Sequence, residues 1–209
     1  MTVIDYFYSA HSAYAWLGAR RLHEICAAHG ARLNHKPIEL SPVVEAAGGL
    51  PFAARTQGHV DYFFGREIER WSELRGVEII RHRPTHHDAP LSLASGAIIA
   101  AGDRADALSY AVLQAHWRDD ADISDPETLA PLIAGCGLDP AAILSAARSE
   151  DIQSIYRANT AEAIALPVFG SPTYLVAGDP FYGQDRLELV ERALVTPFAP
   201  SCWRNPPVA

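Results

Sequence analysis

The chain has 209 residues, 49% of them hydrophobic and 20% charged, with a formal net charge of −8. That balance suits one globular domain, or one domain carrying a large insertion. An acidic surface has no general attraction for phosphate backbones or anionic lipid, which argues against nucleic acid and membrane as partners. Thr2 to Tyr8 opens the chain with apolar side chains on both faces, Val3 and Phe7 against Ile4, Tyr6 and Tyr8, the pattern of a strand covered on both sides. Ser9 to Ser12 is the turn out of it. Ala13 to about His29 is helix-forming, with Tyr14, Gly18, Leu22, Ile25 and Cys26 at helical spacing and Gly30 as the C-terminal stop. A second strand is expected over Arg32 to Leu40, so the start reads β-α-β, a connection that is normally parallel and right-handed.

From about Pro42 to Ala165 the pattern is helical. Val60, Phe64, Ile68 and Trp71 form a stripe that reads most simply as core or dimer packing, with Tyr62 and Phe63 beside it as candidates to line a pocket. Ala105 to Trp117 is another helical segment, and Trp117-Arg118-Asp119-Asp120 reads as its solvated end. Asp125-Pro126 and Asp139-Pro140 each read as an N-cap with proline in the first turn. Strands return at Thr173 to Val176, then a turn at Ala177-Gly178-Asp179-Pro180 and a return strand at Phe181-Tyr182. Asp185 starts a last helix bearing Leu187, Val190 and Leu194 on one face. The fold class is therefore α/β, a thioredoxin-like core (β-α-β … β-β-α) with a large all-helical insertion. Residues 1–41 and 166–200 form the core, 42–165 the inserted helical domain and 201–209 an irregular tail.

Three cysteines, Cys26, Cys136 and Cys202, form no C-x-x-C pair, which favours a reducing compartment over a disulfide framework. The opening MTVIDYFYSAHS has neither the basic start nor the long apolar stretch of a signal peptide. No apolar run approaches the roughly 18 residues of a membrane helix. The expected location is the cytoplasm.

Three short segments carry the candidate chemistry. Ser9-Ala10-His11-Ser12 lies between a buried strand and a helix N-terminus, where free N–H groups and the helix dipole stabilise an anion such as a thiolate. Ser9 there is either a hydroxyl donor to a bound thiol or, like Ser12, simply the helix cap. Phe169-Gly170-Ser171-Pro172-Thr173-Tyr174 leads into the late strand; a cis Pro172 would leave the Ser171 backbone free to pair with an extended peptide such as glutathione. At Gly183-Gln184-Asp185-Arg186, Asp185 either caps the last helix or takes an α-ammonium, while Gln184 and nearby N–H groups meet an α-carboxylate.

Together, Asp5–Ser12, Val168–Tyr174 and Phe181–Leu187 resemble the 2-hydroxychromene-2-carboxylate isomerase family, which groups with kappa-class glutathione transferases in the DsbA-like branch of thioredoxin folds. The resemblance in organisation spans nearly the whole chain. It implies a homodimer that uses glutathione, with Ser9 contacting its sulfur, Ser171 and Pro172 on the peptide edge, and Gln184 with Asp185 at the γ-glutamyl end. It also implies glutathione-dependent cis–trans isomerisation of a small aromatic substrate by reversible thiolate addition. The charge formed on addition needs a donor, for which His11, Tyr62, His86 and His87 are the pocket candidates. Ala10 stands where the family commonly has proline. Glu45 and Gly49 fall where it often has a lysine and an asparagine near the glycyl end.

The competing readings are a glutathione transferase that conjugates, a thiol oxidoreductase, a non-catalytic thiol- or peptide-binding protein, and a metal site at His82, His86, His87 and Asp88. Cysteine is absent from positions 9 and 12, which opposes the oxidoreductase. No HExxH or paired-cysteine spacing supports the metal, so none is assigned.

Overall fold

The computed structural model describes residues 2–207. Four strands form one mixed sheet in the order β2-β1-β3-β4: β1 Val3–Tyr8, β2 Arg32–Pro37, β3 Thr173–Val176 and β4 Asp179–Tyr182. β1 pairs parallel with β2 and antiparallel with β3. It is central because both its faces are apolar. Ile4, Tyr6 and Tyr8 pack toward helix α1 (Ala13–His29), while Phe7 meets Ile38, Val43, Ala163 and Leu175 behind the sheet. Each fully buried large side chain of this kind contributes about 1.5–3 kcal/mol.

Local chemistry sets the element ends. The Ser12 side chain caps α1, accepting from the Ala15 N–H, and Gly30 closes the helix in the left-handed region at φ 59°. β2 stops at Pro37, earlier than the pattern suggested, and α2 (Leu40–Ala46) begins directly after it. The β3–β4 turn places Ala177 and Gly178 at positive φ, as a two-residue hairpin requires.

Between β2 and β3 the chain is helical. After α2 come α3 (Gln57–Asp61), a π-helical turn over Tyr62–Arg66 and α4 (Glu67–Arg75). Then follow α5 (Ser92–Ala100), α6 (Ala105–Trp117), α7 (Pro126–Gly135), α8 (Pro140–Ala147) and α9 (Glu150–Ala165). Asp125 and Asp139 cap α7 and α8 through their side chains, each with proline in the first turn. α6 joins two clusters: Leu108 and Val112 pack with α5, α7 and α8, while Leu113 and Trp117 reach the core around α1. That placement brings the end of α6 to the turn after β1. The final helix, α10 (Leu187–Val195), follows a 3-10 turn at Gln184–Arg186, so Asp185 lies in that turn and makes no side-chain cap. Residues 201–207 have no regular secondary structure, and the last two residues of the expected tail, Val208 and Ala209, lie outside the described residues. Among the described residues no helix is long and apolar enough to cross a membrane.

Candidate active site

Hydrogen bonds join the three segments despite their separation in sequence. The Ser9 N–H donates to Ser171 Oγ at 2.9 Å, and the Ser12 hydroxyl donates to the Ser171 carbonyl at 3.3 Å. The Ser171–Pro172 bond is cis. The Pro172 carbonyl in turn accepts the Gly183 N–H at 2.9 Å. The turn after β1, the start of β3 and the turn before α10 thus form one junction.

The junction separates the two serines. Ser9 is wholly buried, its hydroxyl has no partner among the described residues, and it is not part of the cavity wall. Ser12 lines a cavity of about 440 Å³ together with Ala13, Tyr14 and Ser171. The reason is geometric: Ser9 and Ala10 are wholly buried behind the turn, and the cavity wall begins at His11 and Ser12. Of the two serines, Ser12 is thus the one whose residue lines the cavity, and Ser9 contributes its backbone N–H to the junction. Ser12 is also the helix cap, so that role belongs to Ser12 and not to Ser9. Among the described residues the N–H groups of Ala13 and Tyr14 have no backbone partner, and neither does that of Ser171, so the wall offers donors in the first helical turn.

The pocket candidates divide. His11 and His87 line the cavity; Tyr62 and His86 do not. The π-helical turn shifts the register of the Val60 stripe, so Val60 and Phe64 face the cavity, Ile68 and Trp71 face the core, and Tyr62 points outward. His86 is exposed, with Nδ1 3.4 Å from Asp122 Oδ2. Trp117, read from sequence as a solvated helix end, is buried at the cavity floor and donates its indole N–H to the His11 carbonyl at 2.8 Å. The four candidate metal ligands turn to separate partners. His82 Nδ1 lies beside the Arg83 carbonyl, His86 beside Asp122, His87 beside His116, and Asp88 against Arg83. No three His, Cys, Asp or Glu among the described residues are arranged to hold a metal.

Two guanidinium groups line the cavity. Arg83 is neutralised by two bonds to Asp88, whose carboxyl it holds below the usual range. Arg55 lies over the Phe64 ring at 5.1 Å and donates Nε–H to the Leu50 carbonyl at 3.2 Å, and forms no ion pair among the described residues. Glu45 lines the cavity as well. Lys36 turns away, pairing with Glu162 behind the sheet. Burial, with Glu67, Tyr182 and Asp185 nearby, pushes the Tyr14 phenol well up, so it stays protonated.

At the third segment, Gln184 is buried with its amide oxygen accepting from Arg75 Nε at 3.2 Å, and it packs over Gly18. Its side chain thus fills a structural place, although its Nε2 lacks a partner among the described residues. Asp185 is exposed beside Tyr14 and Tyr182 and pairs with Arg186. A larger shallow groove of about 960 Å³, lined by Cys26, Tyr110 and Leu132, lies at the other end of α1, away from these groups.

A family model described as DSBA-like thioredoxin domain matches residues 3–195. A 2-hydroxychromene-2-carboxylate isomerase of Sphingobium xenophagum is 26% identical over 198 residues, covering 92% of this chain and 97% of the relative. A solved 2-hydroxychromene-2-carboxylate isomerase superposes with a TM-score of 0.78 at 23% identity, over 92% of this chain and 94% of the other. The cytosolic disulfide reductase DsbM from Pseudomonas aeruginosa, solved with GSH, gives a TM-score of 0.61 at 17% identity, over 93% of each chain.

Proposed function

The chain belongs to the DSBA-like thioredoxin family, and we propose that within it this protein binds glutathione and isomerises a conjugated double bond beside an aromatic ring. The observation that supports this reading best is the cavity wall, where the Ser12 hydroxyl, the first N–H groups of α1 and the Ser171 backbone face one space. Relatives named as isomerases support the reaction type. The residues present fit a thiol tripeptide. The free Ser171 N–H pairs with an extended backbone, unpaired Arg55 suits a carboxylate, and exposed Asp185 suits an ammonium group.

Glutathione held there would supply a thiolate able to add reversibly to a conjugated double bond, which would let that bond rotate before it is restored. The protein's tasks surround that chemistry. The 3.3 Å bond from Ser12 to Ser171 is long and weak, so the hydroxyl re-aims at a sulfur at small cost. The positive end of the 17-residue helix α1 favours the anionic form of a thiol there. Phe52, Phe64 and Trp117 provide flat apolar walls that hold an aromatic ring and exclude water.

The test compares Ser12→Ala with Ser9→Ala. Ser12→Ala is expected to raise the pKa of bound glutathione thiol and to slow glutathione-dependent turnover of 2-hydroxychromene-2-carboxylate about 10²-fold, the scale of losing one charge-stabilising donor. Ser9→Ala is expected to leave that pKa unchanged. The reverse ranking would overturn the assignment.

A further inference from the structure

Three imidazoles from three segments meet beneath the cavity. His11 lies in the turn after β1, His87 in the loop before α5, and His116 in the last turn of α6. The His11 and His87 rings stack with centroids 4.3 Å apart and 14° between planes. His87 Nδ1 lies 3.0 Å from His116 Nε2. Trp117 stands edge-on to both of those rings, at 5.5 Å and 5.7 Å, and its indole N–H holds the turn bearing His11. His116 is wholly buried, whereas His11 and His87 line the cavity.

A neutral imidazole has one N–H and one bare nitrogen, so His87 and His116 share one proton across their contact. The surroundings keep both neutral. Burial is the main cause, followed by the neighbouring imidazoles and Arg83 for His87, and for His116 it outweighs Asp120 and Asp122. Among the described residues the Nδ1 of His116 is enclosed and meets no partner in hydrogen-bond geometry, although the Ala121 backbone lies near enough to favour the charged ring. A proton on that nitrogen would be an orphan buried donor, the costlier arrangement. The favoured state puts the His116 proton on Nε2, donated to His87 Nδ1. His87 then carries its own proton on Nε2, which has no partner among the described residues.

We propose that His87 donates this Nε2–H to the substrate oxygen on which negative charge develops, and that His116 is the positioning residue that fixes His87 in that tautomer. The proposal rests on the conjugated-carbonyl reading above. A neutral imidazole suits the task, because it stabilises developing charge through a hydrogen bond without giving up its proton.

The test uses His116→Leu and His116→Gln with two readouts. Nitrogen-15 NMR of the imidazoles in the protein alone is expected to show His87 protonated at Nε2 in the native chain, shifted toward Nδ1 in His116→Leu and restored in His116→Gln. Turnover of 2-hydroxychromene-2-carboxylate with glutathione is expected to fall 10- to 100-fold in kcat for His116→Leu, with KM for glutathione unchanged, and largely to recover in His116→Gln. Native His87 protonated at Nδ1 would overturn the tautomer assignment, with no variant needed. An unchanged kcat in folded His116→Leu would overturn the catalytic role. A native protein that binds glutathione but isomerises nothing would refute the functional reading and His87's role with it, while the spectra still decide what His116 does.

Discussion

Acidification tests the histidine cluster through stability alone. An exposed imidazole titrates near pH 6.5. In the folded chain burial depresses His11 and His116 to about 4 and His87 to about 3. At pH 5 all three are neutral when folded and charged when unfolded, so the unfolded chain binds more protons and stability rises with pH. The contribution is intact above about pH 6.5 and is lost progressively toward pH 4. Falling from 6.5 to 5 costs about 1.5 units at about 1.4 kcal/mol each, roughly 2 kcal/mol per imidazole and about 6 kcal/mol as a ceiling for the cluster. Partial exposure and local opening reduce this to about half, which at this chain length lowers Tm by about 10 °C between pH 7 and pH 5. Carboxylates held low by partners, such as Asp88 and Asp122, act in a more acidic window. Thermal unfolding followed by circular dichroism at pH 7, 6 and 5 measures the effect, and His116→Gln should shrink it by about a third. A Tm constant across that range would refute the reasoning, as would an equal decline in a variant lacking all three histidines.

Two further substitutions probe the rest of the site. Gly183 sits at φ 99°, and a Cβ there would lie 2.3 Å from Asp185 Oδ1; Gly183→Ala should cost about 1–3 kcal/mol in urea unfolding and weaken glutathione binding by calorimetry. Arg55→Ala removes the cavity's unpaired guanidinium. It should weaken binding of a carboxylate-bearing ligand about 10- to 100-fold while changing stability by less than about 0.5 kcal/mol. Testing glutathione beside its glycyl ester shows whether the carboxylate belongs to the tripeptide.

What was legible in the sequence was local. Both ends of α1 followed from Ser12 and Gly30, and the starts of α7 and α8 from Asp-Pro pairs, because a cap is a contact between near neighbours. The choice between Ser9 and Ser12 was not legible. Both precede a helix, and the fold keeps Ser9 out of the cavity wall while Ser12 lines it. Tyr62 and Phe64 exchanged expectations because a single π-helical turn breaks the 3.6-residue period on which the stripe was read. Asp185 resembled a cap because a 3-10 turn and an α-helix start alike in composition. His116 carries no signal in the sequence, since it occupies an apolar helix and gains its meaning from His87, 29 positions earlier.

The junction of Ser9, Ser12, Ser171 and Gly183 also governs when the site comes into being. Its hydrogen bonds span 162 and 159 positions, and closing so long a loop precedes any reward from the contacts it brings. During synthesis β1 and α1 leave the ribosome early, yet the cavity wall at Ser12 stays incomplete until β3 and the turn before α10 have emerged. A nascent chain lacking its last forty or so residues therefore holds Ser12 without Ser171 opposite it. On the proposed glutathione reading, capture by immobilised glutathione during translation would report the finished molecule, not its first half.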